Sequence, residues 1–486
     1  MIISMNKKLN IKKLSIEVRA SLVFLFASVC SQGMSIISMP VFTRLLSTEQ
    51  MGTITTYNTW FNFIGMITTL GLTSGSFNIA MMRFGDKRAQ YTSSALTLSF
   101  IPSVPLFVLS FPFGNFFSSI LGLSVPLVRC MCFMLVLNPA LNLWLMKERY
   151  EYKYIAVFFV TVFNAVVGTL LAVVSVIIAN GYRISDLPEI RLYSSSFITA
   201  VLASVIVVII YLSGKTLFNA QYWSFAIKNG LPLIVHSVAK YILDASDKIL
   251  IGYFIGSAAV GVYGVLYSLS SISLVFWSAI NSALIPYIFE KLKLGMWHKI
   301  RAVASPLIIA YAVLCLFLML LAPEITNVMA GSAYTEAVYL IPPISSGIFF
   351  TSLYNLYSNL LLYKEKTIYV MLATISAAVF NIIANIILLP LFGYIAAAYS
   401  TLASCCLLAL MQYLFTTKLG ISKVLDNRLN LGLSVTLIVS SIIINITYKN
   451  IPIIRYSIIL ILIIGVFINK KRIIGAFQIA KSKEVG

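Results

Sequence analysis

The sequence predicts an all-α integral membrane protein with about fourteen membrane-crossing helices. Three observations carry that expectation. First, 60% of the 486 residues are hydrophobic, only 10% are charged, and the mean hydropathy is +0.95. No water-soluble domain could hide that much apolar side chain, so the solvent must be lipid. Second, apolar stretches of spanning length recur along the whole chain, and backbone groups inside lipid must be satisfied within each stretch, which selects helices. Third, residues 138–171 recur without gaps at 355–388. Asn138 meets Asn355, Asn142 meets Asn359, Lys147-Glu148 meets Lys364-Glu365, Tyr152 meets Tyr369, and Val162-Phe163-Asn164 meets Val379-Phe380-Asn381. A membrane chain that duplicates a multi-helix unit has the organisation of a transporter, in which two similar lobes rock around a central site.

The predicted spans follow from the breaks between them. The first, 20–43, starts after the basic run Lys12, Lys13 and Arg19; it is too long for a signal peptide, has no small-residue cleavage site and is expected to be retained. The second, 53–80, opens on a polar run and ends at Arg83, and the third, 91–112, follows Lys87-Arg88. Spans 121–146 and 154–179 flank the Lys147-Glu148 turn, and 194–213 ends at Gly214-Lys215. These six form a lobe over residues 1–213. A second lobe, 214–420, holds spans 224–253, 261–289, 304–322, 339–363, 367–389 and 394–417. Beyond a polar linker at 418–428, residues 421–486 add a pair of spans, 429–447 and 452–469, and a basic tail. Each lobe has an even number of spans, so both run the same way through the membrane, around an axis along its normal.

The net charge of +20 first suggests nucleic acid, but its placement argues for topology instead. With the N-terminus inside, most of the 35 lysines and arginines fall in inside segments: the N-terminal run, Arg83 to Arg88, Lys147 to Lys153, Lys291 to Arg301, Lys364 to Lys366, Lys418 to Arg428 and the tail from Lys470. Both termini are therefore expected in the cytoplasm, and no nucleic-acid partner is expected. The 6 cysteines all fall in predicted helices, without metal-ligand spacing, and read as free thiols.

Covalent chemistry finds no support. Ser213-Gly214-Lys215-Thr216 imitates the end of a phosphate-binding loop, but Ile209 stands where the leading glycine is needed. The 2 histidines, His236 and His298, lie near no nucleophile pattern. Neither a metal site, a cofactor nor an enzyme activity is expected, and energy must come from an ion gradient, the membrane potential or the substrate gradient.

The segment Pro40-Val41-Phe42-Thr43-Arg44-Leu45-Leu46-Ser47 with Gly52, then Gly71-Leu72 and Arg83-Phe84, resembles the ends of the first two helices in polysaccharide transporters of the MOP superfamily, which include the Wzx-type O-antigen flippases. The resemblance covers essentially 15–420. It implies a two-lobe MOP/MATE-like core of twelve helices, with the C-terminal pair an addition like that of the lipid II flippase branch. It further implies a bacterial inner-membrane flippase for an undecaprenyl-pyrophosphate oligosaccharide, with membrane lipids and the polymerase and chain-length machinery of glycan assembly as partners. The runner-up is a multidrug or metabolite exporter of the MATE branch. Against it stands the scarcity of intramembrane carboxylates: of 15 acidic residues, only Asp244 and Asp247 lie well inside a predicted helix, and none does in the first lobe.

The seventh span carries the site chemistry. His236, Lys240, Asp244 and Lys248 are successive i+4 neighbours, a stripe on one helix face, with Asp247 beside it. An uncompensated charge at mid-membrane costs about 2.5–3.5 kcal/mol on insertion scales, so this face must meet water or the bundle interior. Two readings stand: the charges neutralise one another and glue helices together, or they form a cationic site for an anionic substrate. On the second reading Lys240, Lys248, Arg44, Arg83 and Arg129 line the cavity, and Asp244, Asp247 and His236 couple protonation to movement. Arg129 also suits snorkelling, and Arg44 and Arg83 suit anchoring and topology. Sugars need aromatic faces and amide or hydroxyl partners, and Tyr57, Asn58, Asn62, Tyr263, Tyr267, Asn281, Asn355 and Asn359 supply them, although an interfacial belt and interhelical hydrogen bonds explain the same residues. Asn164 and Asn381, at equivalent repeat positions, read as structural glue.

Overall fold

The structure, a computed structural model, describes residues 16–481 apart from Gly75 and Ile451. Every regular element among them is helical. The first half comprises α1 (Ile16–Leu45), α2 (Thr48–Thr68), α3 (Ser76–Arg83), α4 (Arg88–Leu109), α5 (Gly114–Leu121), α6 (Val125–Tyr150), α7 (Tyr154–Gly181), α8 (Leu187–Gly214) and α9 (Ala220–Phe254). The second comprises α10 (Ser257–Ser270), α11 (Ile272–Lys293), α12 (Trp297–Leu320), α13 (Ala322–Met329), α14 (Ile341–Tyr363), α15 (Thr367–Phe392), α16 (Ile395–Lys418), α17 (Asn427–Asn450) and α18 (Pro452–Lys481).

Helix covers each of the predicted spans, and 11 stretches among the described residues are long and apolar enough to cross a membrane. Among the long helices α2, α9 and α18 fall outside that set, and the first two are those with the threonine-asparagine run and the charged stripe. Lipid exposure shows in α7 and α8, where mean hydropathy reaches 2.5 while only 22% of the span is buried. Phe159, Phe163, Ile177, Val205 and Val208 stand out from them, an arrangement stable only in hydrocarbon.

Two predicted spans are divided. Segment 53–80 breaks after α2, where Leu70 (φ 50°) and Gly71 (φ 71°) turn the chain into α3. A Cβ at Gly71 would lie 2.5 Å from the Gly230 carbonyl oxygen, and one at Gly230 would lie 2.4 Å from that of Leu70, so two glycines let the turn after α2 touch the first part of α9 backbone to backbone. Segment 261–289 breaks at Ser271. Ser268, Ser270, Ser271 and Ser273 each donate back to a carbonyl three or four residues earlier, which bends a helix.

The chain forms two compact units. One holds the chain up to Leu46 together with Trp60–Ser237; the other holds Ser47–Thr59 and the chain from Val238 on. In the first, α1 packs on α7, α7 on α8, and α4 and α8 on α6. Its core joins Phe77, Met81, Tyr91, Leu96, Leu143 and Ile206. Phe84, Tyr91, Tyr222 and Phe225 stack edge and face at its end. In the second, α14 is the hub, 83% buried over its span, and packs against α16 and α17. The C-terminal pair belongs to this unit. Ser346 donates to the Leu437 carbonyl (3.0 Å), Asn430 to the Tyr357 hydroxyl (3.2 Å), and Arg455 pairs with Glu324 (2.5 Å).

Equivalent repeat positions both serve as interhelical hydrogen-bond acceptors, though toward different neighbours. Asn164 accepts from Thr199 (3.0 Å) between α7 and α8, and Asn381 accepts from Ser246 (2.7 Å) between α15 and α9. Phe163 and Phe380, one residue earlier, are both exposed.

Candidate functional site

The charged stripe of α9 lies, from Val238 on, in the second unit. Lys240 Nζ donates to both carboxylate oxygens of Asp244, at 2.6 and 2.5 Å, one helical turn apart as the spacing requires. The Asp244 side chain keeps 41% of its exposure and that of Lys240 25%. A carboxylate so open within a lipid-spanning bundle has to face water, because hydrocarbon would not accept it. Lys248, one turn further, does not join the pair. Its Nζ sits 4.3 Å from the centre of the Tyr267 ring, and no carboxylate lies within ion-pair distance of it among the described residues. Cation–π contact of this kind is worth about 0.5–2 kcal/mol and leaves the ammonium protons available.

Asp247 points elsewhere. It is 1% exposed and accepts from Tyr263 (2.7 Å), Asn385 (2.8 Å) and Thr401. A second layer supports these donors: Asn385 also donates to Asn381 (3.1 Å), and Ser400 donates to Asn385 (2.7 Å). A buried carboxylate is held by α9, α10, α15 and α16 through neutral donors alone, so its charge is solvated by hydrogen bonds rather than by an ion pair.

The sequence candidates therefore separate. Lys240, Asp244 and Lys248 share one face of α9, and Tyr267 packs against Lys248 there. Tyr263 is buried in the Asp247 cage and is not open for a ligand. His236 lies on α9, but its side chain is outside the described residues. Arg44, Arg83 and Arg129 fall in the first unit at three separate places. Arg44 ends α1, exposed, with a bond to the Pro40 carbonyl (3.3 Å). Arg83 ends α3 with its guanidinium 5.0 Å from the Phe225 ring, and Arg129 near the start of α6 lies 5.2 Å from Phe111. Asn359 is buried and donates to Asn281 (3.0 Å), so these two satisfy each other. Tyr57 is buried, whereas Asn58 and Asn62 on α2 are exposed and Asn355 on α14 is half-buried. None of these three asparagines makes a side-chain hydrogen bond among the described residues.

Sequence reading missed Asn385 and Thr401. The signal for Asn385 was present: it stands four residues after Asn381 in the otherwise apolar α15, so two carboxamides share one face where lipid would tolerate neither. Nothing local marks Thr401, whose meeting with Asp247 spans 154 residues.

Comparison with known proteins supplies the family. Residues 18–291 match the family described as polysaccharide biosynthesis protein, and residues 232–387 match the MatE family. The probable low-salt glycan biosynthesis flippase Agl15 of Haloferax volcanii is 23% identical over 399 residues, covering 79% of this chain and 80% of that protein. Among solved structures, the lipid II flippase MurJ in an inward closed conformation superposes with a TM-score of 0.66 at 15% identity, covering 93% of this chain and 99% of that one. An inward-facing multidrug resistance MATE family transporter of the MOP superfamily gives 0.58 at 15% identity, over 83% and 98%.

Proposed function

Because the chain belongs to the polysaccharide biosynthesis protein family, we propose that it is a flippase carrying a lipid-linked oligosaccharide across the membrane. In its specific form the substrate is an undecaprenyl-pyrophosphate repeat unit of O-antigen type, moved from the inner to the outer leaflet of the bacterial cytoplasmic membrane by alternating access. The observation that supports this reading is Lys248, an ammonium inside an apolar bundle that has no carboxylate within ion-pair distance among the described residues and lies one turn from the Lys240–Asp244 pair. A cation kept in that state has a use for an anion, and a pyrophosphate supplies one. The polyprenyl tail stays in lipid throughout.

Coupling falls to Asp244 and Asp247 on this proposal. A proton on Asp244 would release Lys240 toward the pyrophosphate, and its loss would take Lys240 back. In the same way a proton on Asp247 would turn an acceptor into a donor and unseat one of its three partners. Arg44, Arg83 and Arg129 would serve as anchors along the path rather than as one binding cluster. Asn58, Asn62 and Asn355, whose carboxamides make no hydrogen bond among the described residues, would each contact sugar separately. The match of 232–387 to the MatE family favours a second reading, a multidrug or metabolite exporter, because it includes the charged stripe.

Deletion of the gene in its native host separates the two. A flippase leaves surface polymer missing and repeat units accumulating on lipid at the inner leaflet. An exporter leaves the glycan unchanged and alters drug sensitivity. Re-expression of Lys248→Ala or Lys240→Ala should restore less than about a tenth of the polymer, the loss of one charge-assisted contact, while Lys481→Ala in the basic tail restores it fully. Full restoration by all three variants would sink the cationic site.

A further inference from the structure

The first unit holds a cavity that the charged stripe does not touch. It measures about 180 Å³ and lies between the C-terminal half of α2 with the turn after it and the middle of α6. We infer that this cavity is a subsite for one uncharged pyranose ring of the transported glycan, with the Asn62 and Asn138 carboxamides as its hydrogen-bonding groups.

Four features of the cavity converge on that ligand. No Asp, Glu, Lys, Arg or His contributes to the lining, so an acidic or amino sugar would find no counter-charge there. The two carboxamides make no side-chain hydrogen bond to the protein among the described residues, although each can donate two and accept two. A third acceptor comes from the backbone. Pro139 has no N–H, so the Leu135 carbonyl one turn earlier loses its helical partner, and both residues border the cavity. Finally, Phe61 adds an aromatic side chain to the lining beside these polar groups, the mixture that a sugar ring with one apolar face and a rim of hydroxyls requires. Groups of this polarity left against lipid would be costly, which makes the cavity a wet one.

Local sequence explains the space. A Cβ at Gly65 would lie 3.4 Å from the Leu135 side chain and begin to close the gap between α2 and α6. The Thr69 and Thr73 hydroxyls, 3.2 Å apart, are held by one another and by the Gly65 carbonyl, so they shape the floor without competing for ligand. The duplicated unit lacks this subsite. Asn355 repeats Asn138, but Leu356 stands where Pro139 does and keeps its N–H, so no carbonyl is freed.

The inference rests on the flippase reading, and one binding series tests the two apart. The purified full-length protein in detergent is titrated with polyprenyl pyrophosphate, bare or carrying a single neutral hexose. The wild type should bind the hexose-bearing lipid about tenfold tighter than the bare one, the gain of one or two hydrogen bonds. Asn138→Leu should erase that difference and leave affinity for the bare lipid intact, which also shows that the variant is folded. Asn62→Ala, at an exposed position, should reduce the difference about threefold. A wild type that binds both lipids equally, or an Asn138→Leu protein that keeps the tenfold preference, overturns the subsite and leaves the flippase standing. Should Asn138→Leu bind neither lipid, Asn62→Ala decides, and an undiminished preference there overturns the subsite as well. If the wild type binds neither lipid, the flippase reading falls and the subsite with it.

Discussion

Asp247 illustrates what a single buried charge demands. Its carboxylate has no ammonium or guanidinium partner within ion-pair distance among the described residues, and three neutral donors stand in for water. Hydrogen bonds to a charged group contribute about 1.5–3 kcal/mol each, and a donor left unpaired costs about 1–3 kcal/mol. Tyr263→Phe removes one donor and leaves two, so it should cost about 2 kcal/mol. Asp247→Ala strands Tyr263, Asn385 and Thr401 together and should cost more, about 3 kcal/mol or above. Thermal unfolding in detergent checks the order, and equal shifts for the two variants would show that the cage is not cooperative about its carboxylate. The sequence marked Asp247 as chemically unusual because carboxylates inside spans are so rare. It could not reveal the cage, since Asn385 and Thr401 stand 138 and 154 residues away. The ion pair was legible because Lys240 and Asp244 are four residues apart on one helix, a distance that periodicity fixes.

At the scale of elements, the first turns of α2 and α10 meet through glycine. A Cβ at Gly52 would lie 1.9 Å from the Ser257 carbonyl oxygen, and one at Gly261 would lie 1.9 Å from that of Thr48. These are backbone atoms, which cannot swing aside. Gly261→Ala should therefore force the two helices apart and lower the melting temperature, although alanine is the better helix former. Gly432→Ala in α17 is the matched comparison: nothing lies within 4 Å of its Cβ, and the change should be neutral or stabilise by about 0.5–1 kcal/mol. A Gly261→Ala protein as stable as Gly432→Ala would rule out the tight crossing. The stretch from Leu45-Leu46-Ser47 to Gly52 recurs as Phe254-Ile255-Gly256 to Gly261, so the sequence displays the symmetry of the pair without showing that its members touch. The charged turns are less symmetric than the alignment implies. Lys147 and Glu148 lie in the last turn of α6, buried and paired at 3.0 Å, whereas Lys364 and Glu365 form the connection between α14 and α15. Outside the membrane-spanning helices, burial pushes the Glu151 carboxyl up, but the hydrogen bond from Lys153 and the charge of Lys147 outweigh it and hold the group below its usual range.

For the whole molecule, composition settles more than any single motif does. The bundle of apolar helices, the duplication and the basic loops were all readable before any contact was known, because lipid as solvent leaves the chain so few options. The site was readable only where partners share a helix. One consequence belongs to the full transporter and tests the proposed function at that scale. On the proposed function, energy for translocation comes from outside the protein, and a pyrophosphate leaving the cytoplasm would move with an inside-negative potential. Two charges crossing 100 mV gain about 4.6 kcal/mol, which is about three decades in the equilibrium distribution. In vesicles holding the purified protein, a potassium diffusion potential of either sign should therefore set the direction in which lipid-linked glycan accumulates, and collapsing it should reduce the bias to that of the substrate gradient. A distribution indifferent to potential would mean that compensating cations travel with the head group. On the proposed coupling, Asp244 and Asp247 would carry them, so Asp244→Asn and Asp247→Asn would then restore the response.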